Sequence, residues 1–147
     1  EIENYGKMEP VMLEQQGEIL IPQMNAVFRY SVEEVTREIA NIPKNNYTKW
    51  LDYDKISSVV LLRNREPGDY MEIDSAGHKK KLKEILINEK IPLREREHMV
   101  FLAEKKHIIW IPGGRISEKY KITPDTRRIL KVEITGSGDI QKKQDDK

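Results

Sequence analysis

The stretch "LLRNREPGDYMEIDSAGHKKKLKEILINEKIP" (residues 61–92) decides the fold class, because its pattern changes several times within a short distance. An apolar and β-branched run over residues 57–64 predicts a strand, and "REPGD" predicts a turn that leads to a returning strand, "YMEI". A second turn, "DSAG", precedes a lysine-rich segment whose apolar residues recur at helical spacing, which predicts a helix over about 79–88. Short strands mixed with short helices indicate an α+β fold.

Four lysines cluster at the predicted start of this helix. They are Lys79, Lys80, Lys81 and Lys83. A helix start disfavours cations, because the backbone dipole is positive there and each charge costs roughly 0.3–1 kcal/mol at low salt. Lysines beside free N–H groups suit a polyanionic ligand, and the alternative is a charge run that only faces solvent. The apolar stripe of Leu82, Ile85 and Leu86 is expected to be core in either case.

Two arginines flank the first turn, in "LLRNREPGD". The guanidinium forks of Arg63 and Arg65 match phosphate oxygens in two-pronged fashion. Asp69 is expected to accept backbone N–H bonds in the turn or to orient an arginine. The alternative is an ordinary polar end of a hairpin with solvated arginines.

Three further arginines are candidate ligand-binding residues. Arg94 and Arg96 alternate with Glu95 and Glu97, so internal ion pairs compete with ligand binding as their explanation. In "IPGGRIS" two glycines precede Arg115; paired glycines allow a close approach to a ligand, but they also form ordinary turns. The histidines have no metal-like spacing, and no metal site is predicted.

The composition indicates a polar but foldable chain of 147 residues, with 37% hydrophobic and 35% charged residues. The absence of cysteine excludes disulfides and thiolate sites, and no membrane span or signal peptide is apparent. The sequence begins at Glu1 rather than methionine, which suggests a fragment or a processed product. Net charge is unevenly distributed: residues 60–131 hold 17 Lys/Arg against 11 Asp/Glu, a net of +6, and the remainder holds 9 against 14, a net of −5. The basic part is where a phosphate-bearing partner is expected.

Other segments are less decided. Residues 26–40 combine a capping-box signal at Ser31 with strand-like alternation. Residues 42–56 are turn-rich and aromatic and are interpreted as a connector. Thr123 and Pro124 suit the start of a short helix before a last strand.

The segments "LLRNREPGDY", "GHKKKLKEILINEKIPLRERE" and "IIWIPGGRISEKYKIT", in this order and spacing, resemble the C-terminal domain of bacterial tRNA(Ile)-lysidine synthetases. The similarity covers roughly residues 42–134. It implies an α+β fold in which short strands form a β-sandwich-like core with a few short helices, and it favours a strand over residues 26–40. Together with the uneven charge, it indicates an acidic β-rich segment over residues 1–57 packing on the core and a basic tRNA-recognition domain over 58–134. The polar composition of "TGSGDIQKKQDDK" predicts a disordered tail over 135–147.

The resemblance implies the activity of the full-length enzyme. That enzyme uses ATP and magnesium to join lysine to the wobble cytidine of an isoleucine tRNA with a CAU anticodon, in the cytoplasm. Its catalytic N-terminal domain carries a Ser-Gly-Gly-x-Asp-Ser loop that this chain lacks, so the chain alone is expected to bind no cofactor and to be inactive. The expected partners are tRNA and the N-terminal domain. The alternative is a protein-interaction or dimerisation domain, including a homodimer, without RNA contact.

The resemblance also implies a set of site residues. The residues expected to bind tRNA phosphate and sugar are Arg63, Arg65, Lys79, Lys80, Lys81, Lys83, Arg94, Arg96 and Arg115. The residues expected to shape turns are Gly68, Asp69 and Gly114. No catalytic residue is expected.

Overall fold

A computed structural model describes residues 7–136 of the chain. Within this range the strands are β1 (Val11–Met12), β2 (Gln16–Ile21), β3 (Ala26–Glu34), β4 (Thr48–Asp52), β5 (Val60–Arg63), β6 (Tyr70–Glu72), β7 (Lys79–Lys81), β8 (Phe101–Glu104), β9 (His107–Trp110) and β10 (Arg128–Gly136). The helices are α1 (Leu82–Asn88) and α2 (Leu93–Arg96), with short 3-10 turns at Pro22–Met24, Tyr53–Lys55 and Glu118–Tyr120. No helix in this range is long and apolar enough to cross a membrane.

The strands form two sheets. The six-stranded sheet has the order β1-β5-β8-β9-β6-β7, and the four-stranded sheet has the order β2-β3-β10-β4. Neighbouring strands are antiparallel, except that β6 runs parallel to β9. The predicted α+β class, with a β-sandwich-like core and few short helices, is confirmed.

The six-stranded sheet is the middle of three layers. One face packs on the four-stranded sheet through a core that includes Leu62, Leu102 and Trp110 on one side and Phe28, Leu51 and Val132 on the other. The opposite face packs on α1 through Met71, Phe101, Ile108, Leu82, Ile85 and Leu86. The predicted apolar stripe of α1 is therefore core.

Residues 26–34 form a strand, β3, as the resemblance suggested. Phe28 and Tyr30 point into the core, and Arg29 between them points outward. The capping-box interpretation is wrong, because the backbone of β3 is paired along its length with β2 and β10. Residues 35–40 belong to no helix or strand.

Four expectations about local structure need correction. The helix begins at Leu82 rather than near residue 79, because Lys79–Lys81 pair with β6 as strand β7. The returning strand β6 does not pair with β5; it lies between β9 and β7. The expected connector over 42–56 contains β4, which pairs with β10. Thr123 begins a turn rather than a helix, since its hydroxyl accepts from the Asp125 N–H.

Each sheet contains strands from both sides of residue 57. The four-stranded sheet combines β2, β3 and β4 with β10, and β1 joins the six-stranded sheet. Strand β10 continues to Gly136, so residues 135 and 136 belong to the sheet rather than to a tail. The rest of the predicted tail lies outside the described residues.

Candidate nucleic-acid interface

A groove of about 480 Å³ lies where the β5–β6 turn meets the junction of β7 and α1. It is lined by Arg65, Glu66, Pro67, Gly68, Asp69, Lys81, Leu82, Lys83 and Glu97. The Leu82 N–H donates to the Asp69 carbonyl at 2.9 Å, which joins the turn to the start of α1. This contact brings residues from two predicted motifs to one surface.

Arg63 and Asp69 form a buried ion pair beneath this groove. Their exposed fractions are 1% and 4%, and the two Nη atoms of Arg63 lie 3.0 and 2.8 Å from the two Asp69 oxygens. The same Nη atoms donate to the carbonyls of Asn64 and Lys105. With its donors used and its surface covered, Arg63 has no access to a phosphate, so its predicted role in tRNA binding is corrected to a structural one.

The turn that Arg63 supports is also held by Asp69 and Gly68. Asp69 Oδ2 accepts from the Glu66 N–H at 2.7 Å, and the Asp69 N–H donates to the Glu66 carbonyl at 3.2 Å. Gly68 has φ of +89°, a conformation that side chains disfavour. These contacts fix the loop that carries Arg65.

Arg65 lies in the groove and is bound to Glu97. Its side chain is only 20% exposed, and its Nη2 lies 3.1 Å from Glu97 Oε1. The other oxygen of Glu97 accepts from Lys7 Nζ at 3.2 Å. The hydrogen bonds from Lys7 and Arg65 keep the pKa of Glu97 below its usual value despite some desolvation. Glu97 pairs with these two cations rather than with the neighbouring arginines, whose predicted ion pairs are absent from the described residues.

The four lysines divide between three positions. Lys81 and Lys83 are exposed and line the groove. Lys79 is exposed on β7, with its Nζ 5.0 Å from the centre of the Tyr70 ring. Lys80 is half-buried opposite Met71, on the other side of the strand from its two neighbours. Since β7 is an edge strand, its lysines also disfavour pairing with another sheet.

The remaining predicted residues lie outside the groove. Arg94 is exposed on α2. Arg96 is half-buried, and its Nε and Nη1 are buried without a hydrogen-bond partner within residues 7–136. Arg115 is exposed and donates to the Ile73 carbonyl at 3.2 Å. The Gly114 N–H donates to the Ile111 carbonyl at 2.7 Å, in a tight turn.

A buried polar network that the sequence did not reveal holds the segment after Arg115. Ser117 Oγ lies 2.7 Å from His107 Nε2 and accepts from the Glu72 N–H at 2.8 Å. Burial, which disfavours the charged imidazolium, lowers the pKa of His107 to about 4. The network ties this segment to β6 and β9.

The network continues to Glu104, which accepts hydrogen bonds from Tyr120, Ser57 and Ser58. Burial alone would raise the pKa of Glu104, but these hydrogen bonds outweigh it and lower the pKa.

The structure thus brings together Arg65, Lys81, Lys83, Gly68 and Asp69. Sequence reasoning missed Glu66 and Glu97, the two half-exposed carboxylates of the groove. In the sequence, Glu97 stands out only as part of an Arg-Glu alternation. Its partner Arg65 is 32 positions away, and no local pattern connects the two residues. Across residues 7–136 no group of three or more His, Cys, Asp or Glu residues could hold a metal ion.

The family model of the TilS substrate C-terminal domain matches residues 60–134. The chain is 39% identical over 98 residues to the tRNA(Ile)-lysidine synthase of Caldanaerobacter subterraneus subsp. tengcongensis, covering 67% of this chain and 21% of that protein. It is 37% identical over 105 residues to the tRNA(Ile)-lysidine synthase of Clostridium tetani, covering 70% of this chain and 22% of that protein. The chain therefore spans about a fifth of the length of these relatives.

A solved structure supports the fold assignment. The crystal structure of a TilS C-terminal domain matches with a TM-score of 0.70 and 23% identity, over 88% of this chain and 98% of the solved chain. This match extends beyond residues 60–134, so much of the chain outside the matched family segment shares the fold. The resemblance seen in the sequence motifs is confirmed, and the chain belongs to the family of TilS substrate C-terminal domains.

Proposed function

We propose that this chain is the tRNA-holding part of a tRNA(Ile)-lysidine synthase. In this proposal it grips the acceptor stem of an isoleucine tRNA with a CAU anticodon. A catalytic N-terminal domain elsewhere in the full-length protein then joins lysine to the wobble cytidine, using ATP and magnesium that it binds itself. The chain alone binds tRNA without catalysis. The relatives named as lysidine synthases support this assignment.

The observation that carries the proposal is the convergence of Arg65, Lys81 and Lys83 on one groove. These residues come from separate segments, and the surrounding sequence is the basic part of the chain. The deep, narrow major groove of an RNA duplex hides the base edges, so a protein that holds a stem contacts mainly phosphate and ribose. A groove with two exposed lysines and a fixed guanidinium offers the donors that such contacts need.

The contacts would extend beyond the groove. We place Lys79, Lys80, Arg94, Arg96 and Arg115 in the outer part of the interface, and we exclude Arg63 because it is buried. The division into residues 1–57 and 58–134 stays a proposal about domains. Since tRNA modification is the activity named for the relatives, we further propose a cytoplasmic location.

Fluorescence anisotropy with an acceptor-stem minihelix tests the proposal. The groove variant carries Lys81→Glu and Lys83→Glu. The control variant carries Lys44→Glu and Lys55→Glu, which make the same charge change at exposed lysines that do not line the groove. Circular dichroism and thermal unfolding establish that both variants are folded.

We expect the wild type to bind the minihelix with an affinity that falls as salt rises, because each phosphate contact releases counterions. The groove variant should lose most binding, and the control should keep most of it. Equal loss in both variants would mean that only overall charge matters. If the folded wild type fails to bind while sedimentation detects a stable dimer, the competing proposal of a dimerisation domain would replace this one.

A further inference from the structure

One carboxylate in the groove, that of Glu97, already forms an ion pair with Arg65, the least exposed cation there. Glu97 lines the groove at the end of α2, and its side chain is 40% exposed. Its Oε1 lies 3.1 Å from Arg65 Nη2, and its Oε2 lies 3.2 Å from Lys7 Nζ. A phosphate that enters the groove therefore meets Glu97 before it can bind Arg65 freely.

Arg65 differs from the lysines around the groove. Its side chain is 20% exposed, and its Nε is buried without a hydrogen-bond partner in the part of the chain that the structure describes. The guanidinium is thus held in place, with its ion-pair partner at the groove wall. Lys81 and Lys83 are exposed, and the described residues supply no salt bridge to either.

We propose that Glu97 is an internal competitor for Arg65, which makes the groove select a chain of phosphates over a single phosphate. This inference rests on the proposed function. An isolated phosphate must displace Glu97 from Arg65 or lie beside this like charge, so it gains little binding free energy. An RNA strand has neighbouring phosphates that reach Lys81 and Lys83 at the same time, and these contacts offset the loss of the Arg65–Glu97 ion pair.

Glu97 therefore weakens the binding of every anion to the groove, and small anions lose enough affinity that they do not bind. Half-exposed ion pairs are worth a modest amount, so removal of Glu97 should tighten RNA binding by roughly twofold to fivefold. It should also steepen the salt dependence, because a free Arg65 neutralises a further phosphate and so releases more of the counterions condensed on the RNA. Free phosphate and mononucleotides should begin to compete with RNA.

The test compares Glu97→Gln with Glu89→Gln in the minihelix assay. Glu89 is exposed, does not line the groove, and has no ion pair among the described residues, so its replacement makes the same charge change. Both variants are repeated in an Arg65→Gln background, which completes a double-mutant cycle. Inorganic phosphate and AMP serve as competitors in each case.

We expect tighter RNA binding and new competition by AMP for Glu97→Gln alone, and no gain once Arg65 is replaced. A gain that persists in the Arg65→Gln background would assign the effect to Lys7 or to overall charge, and would overturn the inference. RNA binding by the wild type without any gain in Glu97→Gln would overturn the inference and leave the proposed function standing. If neither the wild type nor Glu97→Gln binds RNA, this inference and the proposed function are both overturned.

Discussion

Replacement of Asp69 by alanine should strongly destabilise the fold, although the residue lies beside a surface groove. The change removes the acceptor of two Arg63 hydrogen bonds and of the Glu66 N–H. It leaves a guanidinium with an exposed fraction of 1%, whose remaining counter-charge is the half-exposed Glu66 carboxylate, 3.6 Å from Arg63 Nε. Breaking a buried pair by removing one partner costs about 3–5 kcal/mol of the free energy of unfolding. For a chain of this size that is a fall in Tm of roughly 6–20 °C.

Urea and thermal unfolding measure this change, and Arg65→Ala is the matched control. Arg65 is two positions from Arg63, but its ion pair with Glu97 is partly exposed, so its loss should cost less than about 1 kcal/mol. The two variants should therefore separate stability from binding: Asp69→Ala lowers Tm, and Arg65→Ala weakens RNA binding. The reasoning is refuted if the free energy of unfolding of Asp69→Ala lies within about 1 kcal/mol of the wild-type value.

A double variant asks whether the cost comes from charge or from packing. In Arg63→Met with Asp69→Leu, no charge remains buried and side chains of similar size fill the space. Apolar replacement of a buried pair is often neutral or stabilising. We expect the double variant to recover a large part of the stability lost in Asp69→Ala. The residual loss comes from the Glu66 N–H and from the Asn64 and Lys105 carbonyls, which lose their side-chain partners. A double variant that is less stable than Asp69→Ala would contradict an electrostatic origin.

Three further predictions concern stability. The pKa of His107 is about 4 in the folded chain and about 6.5 in the unfolded chain. Its contribution to the free energy of unfolding is therefore complete above about pH 6.5 and should fall by about 3 kcal/mol as the pH drops to about 4. Urea unfolding of the wild type and of His107→Gln across that pH range tests this. Gly113→Ala should cost about 1–2 kcal/mol, since φ is +84° and the new Cβ would lie 3.0 Å from the Tyr47 hydroxyl; thermal unfolding measures it. Leu86→Ala should cost about 2–5 kcal/mol in urea unfolding, because the side chain is fully buried.

Local elements with unambiguous patterns could be predicted from the amino-acid sequence alone. The run "VVLL" produces β5, and the apolar spacing from Leu82 to Leu86 produces α1. The turn at Lys105 and Lys106 follows from polar residues between two apolar runs, and it joins β8 to β9. Each of these features depends on residues within a few positions of one another, so periodicity and turn chemistry are sufficient. The mixed signals over residues 26–40 did not separate a helix from a strand, and only the family resemblance favoured the strand that β3 forms.

The accessibility of each cation depends on the tertiary fold. Lys79, Lys80 and Lys81 carry no periodic signal, and they become a strand because β6 supplies backbone partners. Arg63 looks like Arg65 in the sequence, yet a carboxylate six positions away and a carbonyl 42 positions away hold it in the interior.

The groove and its internal competitor arise in the same way. The turn after β5 meets α1, and Glu97 reaches Arg65 across 32 positions. Local propensity sets which segments can be helical or extended. Burial and ion pairing depend on segments that are far apart in sequence, and the order of strands in the two sheets brings those segments together.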